Sequence, residues 1–162
     1  MGLNLTKIEQ DAPELLPVAQ RTKLTLEKRN LSGLTASVAL VLDYSMSMSE
    51  LYRSNAVQKL SEKVLAIATQ LDDDGEIDIY IFESRAHYLG TLTLANFRTG
   101  IADLTSGRRM GSTDYAGVID LVRKRSTDAP KRGLFSRAKS GPAANPVPVS
   151  YTHLTLPTKR IV

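Results

Sequence analysis

The sequence predicts an α/β fold, a doubly wound and mostly parallel sheet with one antiparallel edge hairpin. Three observations carry this. Residues 38–42 are continuously apolar and β-prone, the pattern of a strand covered on both faces. Ile77, Ile79 and Ile81 alternate with Asp78, Tyr80 and Phe82, and a period of two marks a second strand. Between them Val57, Leu60, Val64, Leu65, Ala68 and Leu71 recur at helical spacing and form one apolar stripe.

Taken in order, residues 1–35 read as a leader with Pro13, Pro17 and a basic stretch at 21–29; residues 22–26 alternate as an edge strand would. The body of the domain spans 36–125. Its first strand ends in Asp43 and a Ser-rich turn. A helix over 51–71 follows, stopped by Asp72-Asp73-Asp74-Gly75. After the second strand, Glu83-Ser84-Arg85 makes a turn, and 86–94 returns as a strand close enough to pair antiparallel. A short helix is expected over 95–104, then a Gly- and Arg-containing loop over 106–112. Thr113 and Asp114 open a last helix with Tyr115, Val118, Ile119 and Val122 on its apolar face. Residues 126–149, with Pro130, Gly133, Gly141, Pro142 and Pro146, read as a linker and the start of a further strand. Residues 150–162 carry no periodic pattern and read as a non-native tail.

Composition narrows the function classes. A chain of 162 residues suits one domain or a large piece of one. Cysteine is absent, which removes disulfides, thiolate zinc sites and thiol catalysis together and fits a reducing compartment. The formal charge is +4, and Arg123, Lys124, Arg125, Lys131, Arg132, Arg137 and Lys139 hold much of the excess. No aromatics alternate with these charges to stack bases, so they read as a solvated helix end, with no nucleic acid expected as partner. The first ten residues lack the apolar core of a secretory signal, and the aliphatic run at 38–42 is too short to span a bilayer. A cytoplasmic protein without a membrane partner is expected.

One constellation carries chemistry. Asp43-Tyr44-Ser45-Met46-Ser47 is a D-x-S-x-S pattern where a buried strand ends and a helix is about to begin. In open α/β sheets ligands bind at the carboxyl ends of strands. One carboxylate and two hydroxyls in one loop are hard oxygen ligands, suited to Mg²⁺ or Mn²⁺. Alone, the motif is weak, and the serines read more readily as helix caps. A second oxygen-rich loop, Gly111-Ser112-Thr113-Asp114, opens a later helix and offers Thr113 as a further hydroxyl.

With these residues the sequence resembles a von Willebrand factor A-type (vWA) domain, whose metal-ion-dependent adhesion site is a D-x-S-x-S loop plus a later Thr. Asp43, Ser45, Ser47 and Thr113 carry the match. The stretches 39–52, 71–82, 86–97 and 111–119 are similar to the subgroup found in bacterial tellurium-resistance (Ter) and stress proteins, as is the opening at 2–7. The resemblance implies a vWA, Rossmann-like sheet and a Mg²⁺ or Mn²⁺ ion. It also implies a partner protein that presents an acidic residue to that ion. Tyr44 and Met46 occupy positions where the family more often has small or β-branched residues. The family has a further strand ending in an Asp-Gly pair whose Asp completes the metal shell, yet no Asp follows Asp128. A domain incomplete at its C-terminus is therefore expected.

Two other classes compete. A phosphoryl-transfer enzyme of the haloacid dehalogenase type shares only the first Asp, and Ser45 stands where its general acid would be. A Ser-His-Asp hydrolase needs a G-x-S-x-G elbow, absent around Ser45 and Ser47. The 107–113 loop lacks the Lys of a phosphate-binding loop, and aligning Gly75 with an EF-hand glycine leaves Gln70 and Ile81 at acidic positions. No enzyme activity is expected. The remaining alternative is a basic adaptor for nucleic acid or an anionic surface, which a steep salt dependence would reveal.

Overall fold

The apolar run becomes β1 (Val38–Asp43) and the alternating isoleucines become β2 (Ile77–Phe82) in the structure, a computed structural model that describes residues 3–72 and 74–128. The two strands pair in parallel, from Val38 opposite Ile77 to Asp43 opposite Phe82. β3 (Ala86–Leu92) returns antiparallel along β2, and the sheet order is β1-β2-β3. This is the parallel pair with an antiparallel edge hairpin expected above. The register slips between Ile79 and Tyr80, leaving Leu89 without an opposite number. Gly90 next to it takes φ +138°, a conformation that a Cβ would disfavour and that β-bulges commonly need.

Successive strand side chains point to opposite faces, so the sheet supplies two cores. On one face Leu40, Leu42, Ile77, Ile79 and Ile81 are buried with Val64 and Leu65 of α4 (Ala56–Ala68) and Ile101 of α5 (Gly100–Thr105). On the other face Val41, Tyr80 and Phe82 meet Val118 and Val122 of α6 (Ala116–Asp128). Helices thus cover both faces, and the fold is a doubly wound α/β sheet. No helix among the described residues is long and apolar enough to cross a membrane.

Four local expectations are corrected. The edge strand expected over 22–26 is helix: α1 (Leu5–Asp11) and α2 (Leu16–Lys28) occupy the segment read as a leader. Pro17 falls in the first turn of α2, where a missing N–H costs nothing. Thr22 and Thr25 turn their hydroxyls back onto Val18 O and Arg21 O, which satisfies them inside the helix. Ile8, Ala12, Leu15 and Ala19 enter the same core as the sheet, and that burial overrides a weak alternation.

The helix expected over 51–71 is broken into α3 (Ser49–Arg53) and α4. Asn55 lies between them at φ +60°, a left-handed conformation that Asn tolerates better than most residues. Asn55→Ala should therefore cost about 1 kcal/mol in a denaturant titration, whereas Asn55→Gly should cost nothing; equal losses in both would mean the asparagine side chain matters instead. The short helix begins at Gly100 rather than 95, because Asn96 accepts the Thr93 N–H at 2.8 Å and closes a separate turn. Finally, Ile119 was expected on the apolar face of α6 but is exposed, whereas Val118 and Val122 are buried. Of the segment read as a linker over 126–149, residues 126–128 close α6; residues 129–149 and the tail at 150–162 lie outside the described residues.

Candidate metal centre

β1 delivers Asp43 to the carboxyl end of the sheet with its side chain 8% exposed, and Ser45 follows at 4%. The Asp43 carboxylate accepts the Ser45 N–H through Oδ1 at 2.8 Å. That bond folds the loop back on itself. The Ser45 and Ser47 hydroxyls then stand 3.0 Å apart, Ser47 inside a 3-10 turn, Met46–Met48, and exposed. From below, the Tyr52 hydroxyl donates to Asp43 O at 2.9 Å, and its ring meets Tyr44 edge-on at 5.0 Å.

The second loop is strapped to the first through its backbone. Met46 N–H donates to Gly111 O at 3.1 Å and Gly111 N–H to Tyr44 O at 3.3 Å, a parallel bridge between Ser45 and Gly111. Three residues later Asp114 N–H donates to Glu83 O at 2.7 Å. Thr113 lies between these two anchors and is exposed. The structure thus joins Asp43, Ser45 and Ser47 directly. It brings the Thr113 segment alongside them, but among the described residues no hydrogen bond links the Thr113 side chain to the other three.

The donor set fits the ion it implies. Two oxygens side by side on an octahedral Mg²⁺ with bonds of about 2.0–2.1 Å stand about 2.9 Å apart, and the two serine hydroxyls are separated by 3.0 Å. Asp43 Oδ2 accepts no hydrogen bond among the described residues, so it is available to a cation or to water on it. Among the described residues, no three His, Asp or Glu side chains converge on a metal position.

Glu83 was read as part of a turn and proves to be a rim residue. It follows β2 directly, beside the strand that ends in Asp43. Its carboxylate accepts the Ser84 N–H, contacts His87 Nε2 at 3.3 Å and lies over Gly111, where a Cβ would collide with it. Hydrogen bonds from Ser84 hold the Glu83 carboxyl below the usual carboxylate value, with His87 adding to this. The available signal was positional: an acidic residue at the carboxyl end of the strand next to β1.

Burial pushes the Tyr52 hydroxyl well above its ordinary pKa, with the neighbouring Tyr44 and Asp43 charges adding to it. A raised folded-state value means the folded chain keeps the proton that the unfolded chain releases. Stability is then fully present below about pH 10, the ordinary tyrosine value, and falls as pH rises above it. Tyr52→Phe should lose about 1 kcal/mol at neutral pH with the hydroxyl's hydrogen bond, and should show a shallower alkaline decline in thermal melts. An identical alkaline slope in both proteins would remove Tyr52 from this role.

The family model vWA-TerF-like, described as the vWA found in the TerF C terminus, matches residues 35–136. A Bacillus subtilis (strain 168) protein named Uncharacterized protein YcbR is 36% identical over 114 residues, which cover 67% of this chain and 46% of that protein. The chain therefore spans under half the length of this curated relative. No solved structure matches it significantly.

Proposed function

This chain belongs to the TerF-like vWA family, and from that premise we propose that it is a metal-ion-dependent protein-binding module. Asp43, Ser45, Ser47 and Thr113 hold Mg²⁺ or Mn²⁺ in this reading, and the ion grips an acidic side chain of a partner protein. The observation that carries it is the pair of serine hydroxyls at 3.0 Å beside a carboxylate whose Oδ2 accepts no hydrogen bond among the described residues. Against a divalent cation, a single carboxylate leaves net positive charge, and Mg²⁺ retains exchangeable waters. An incoming carboxylate replaces one of them and neutralises the site. No bond of the partner is broken, so the module binds and does not catalyse. Its setting is the bacterial cytoplasm, within a tellurium-resistance or stress-response system.

The test is titration of the chain with Mg²⁺ and Mn²⁺, following the backbone amides of residues 43–47 and 111–114 by NMR. Saturable Mg²⁺ shifts and Mn²⁺ broadening confined to these two loops are expected. With only one charged ligand, the affinity is expected to be weak, on the order of millimolar, since Ca²⁺ and Mg²⁺ sites gain strength with ligand charge. Uniform shifts across the basic surface, abolished by salt, would support an electrostatic adaptor instead.

A further inference from the structure

We propose that the cavity between the start of α1, α2 and the end of α4 binds a small zwitterion with a primary carboxamide on an aliphatic stem, such as free glutamine. The cavity lies near the amino end of β1, whereas Asp43 closes the carboxyl end of that strand. The proposal is independent of the metal reading above.

Backbone hydrogen bonds bring three segments together here. Leu3 N–H donates to Thr69 O at 2.6 Å, and Ala36 N–H donates to Leu71 O at 2.9 Å just before β1. Gln70 is held between these two ties. The cavity they help to form has a volume of about 330 Å³, within the range of small-molecule sites. Half-buried Leu3, Leu5 and Leu26 give it apolar walls, and Lys23 and Glu27 line it as exposed residues. Gln70 lines it as well and is only 8% exposed. Apolar walls with a few polar groups are the usual composition of a ligand site.

Gln70 decides the chemistry. Its Nε2 donates to Thr69 Oγ1 at 3.1 Å, and Thr69 Oγ1 donates in turn to Ala66 O at 2.7 Å. That uses one of the two N–H groups of the amide. Among the described residues Gln70 Oε1 accepts no hydrogen bond, and no side-chain oxygen there is both fully buried and unpartnered. Oε1 therefore opens onto the cavity that Gln70 lines. One N–H and one oxygen on the same amide match the N–H and oxygen of another primary carboxamide. A carboxylate cannot donate and an ammonium cannot accept, and an aliphatic end leaves the nearly buried amide without a partner. Lys23 and Glu27 stand one helical turn apart on α2, yet the ion pairs of the described residues involve neither. Lys23 is thus available to an α-carboxylate and Glu27 to an α-ammonium group.

The experiment titrates the whole chain with L-glutamine, L-glutamate, L-leucine and L-glutaminamide, followed by NMR. Glutamine should give saturable shifts at Leu5, Leu26 and the Gln70 side-chain amide, with residues 43–47 unmoved. Glutamate and leucine should bind about tenfold more weakly, as losing a paired amide at a nearly buried position implies. Glutaminamide, which lacks the α-carboxylate, should bind about two- to fivefold more weakly, the scale of an exposed ion pair. Gln70→Leu should erase the preference for glutamine over leucine. Should that variant fail to fold, Lys23→Met decides: the residue is exposed, so its melting temperature should match the parent's, and glutamine should bind it only as well as glutaminamide binds the parent. The proposal is overturned by shifts that do not saturate or that fall elsewhere, by equal affinity for glutamine and leucine, or by parent-like glutamine affinity in Lys23→Met.

Discussion

Replacing Asp43 by alanine is expected to abolish Mg²⁺ and Mn²⁺ binding, the largest functional effect of any single substitution in this chain. Asp43 is the one acidic residue in the D-x-S-x-S loop. A neutral hydroxyl that is lost can be replaced by water, but the only charge in a hard-cation site cannot. The carboxylate also accepts the buried Ser45 N–H at 2.8 Å, so the alanine variant leaves that donor without its partner and loses about 1–3 kcal/mol of stability. Asp43→Asn separates the two roles. Its amide oxygen still accepts the N–H, so the loop keeps its shape, and the charge is gone. Both variants should fail to bind either ion in calorimetric titration, with the asparagine form nearer the parent's melting temperature. Parent-like Mg²⁺ binding by Asp43→Asn would sink the metal reading and leave the serines as loop-shaping residues.

The other ligands should grade below Asp43. Ser47 is exposed, and its replacement by alanine should weaken Mg²⁺ binding several-fold without ending it, because water reaches the vacated position. Thr113 is exposed and held only through its backbone neighbours. Thr113→Ala should leave Mg²⁺ affinity nearly intact and lower affinity for an Asp-containing peptide, if the second loop completes the shell only when a partner docks. A Thr113→Ala chain that loses the ion and the peptide equally would place Thr113 on the cation from the outset.

The sheet was legible because its strands are buried, and buried strands write their pattern plainly. Residues 38–42 and the isoleucines at 77, 79 and 81 could be placed by apolar character alone, and the short 83–85 turn forced the hairpin. The position of the D-x-S-x-S loop was legible for a related reason: it follows directly on the end of a buried strand. What escaped depends on partners distant in sequence. Residues 22–26 fit a period of two about as well as a helix, and only the burial of Ala19 and Leu15 in the shared core decides between them. Nothing local announces the left-handed Asn55, which is set by the angle between α3 and α4. Ile119 fits the helical stripe, but α6 packs on the face formed by Val41, Tyr80 and Phe82 through Val118 and Val122, with Leu121 partly buried beside them. Glu83 gains its place at the rim from β2 lying next to β1, a pairing that the sequence states only indirectly.

Phe82→Ala is expected to produce the largest loss of stability, about 3–5 kcal/mol for a fully buried phenylalanine, against a total of about 5–15 kcal/mol for a typical domain. Phe82 is completely buried and shares its cluster with Val41, Tyr80, Val118 and Val122. Among the described residues α6 is the helix packed on this face, and the ring is a main contact between it and the sheet. Its removal opens a cavity that rigid strands cannot close. The ring also supports Tyr115 at 4.8 Å, two residues beyond Thr113, so the loss should reach the second ligand loop. The Phe82 carbonyl still accepts the Tyr44 N–H, and the first loop should stay in place. Urea denaturation should show the drop in midpoint, and hydrogen exchange should accelerate in α6 and at Asp114 more than at Ser45. Phe82→Leu, which fills most of the cavity, should cost under about 1.5 kcal/mol and slow that exchange again. A Phe82→Ala chain with an unchanged midpoint, or with α6 and β1 exchanging equally faster, would show that α6 is not held by this contact. The second loop would then owe its position to its backbone hydrogen bonds at Gly111 and Asp114.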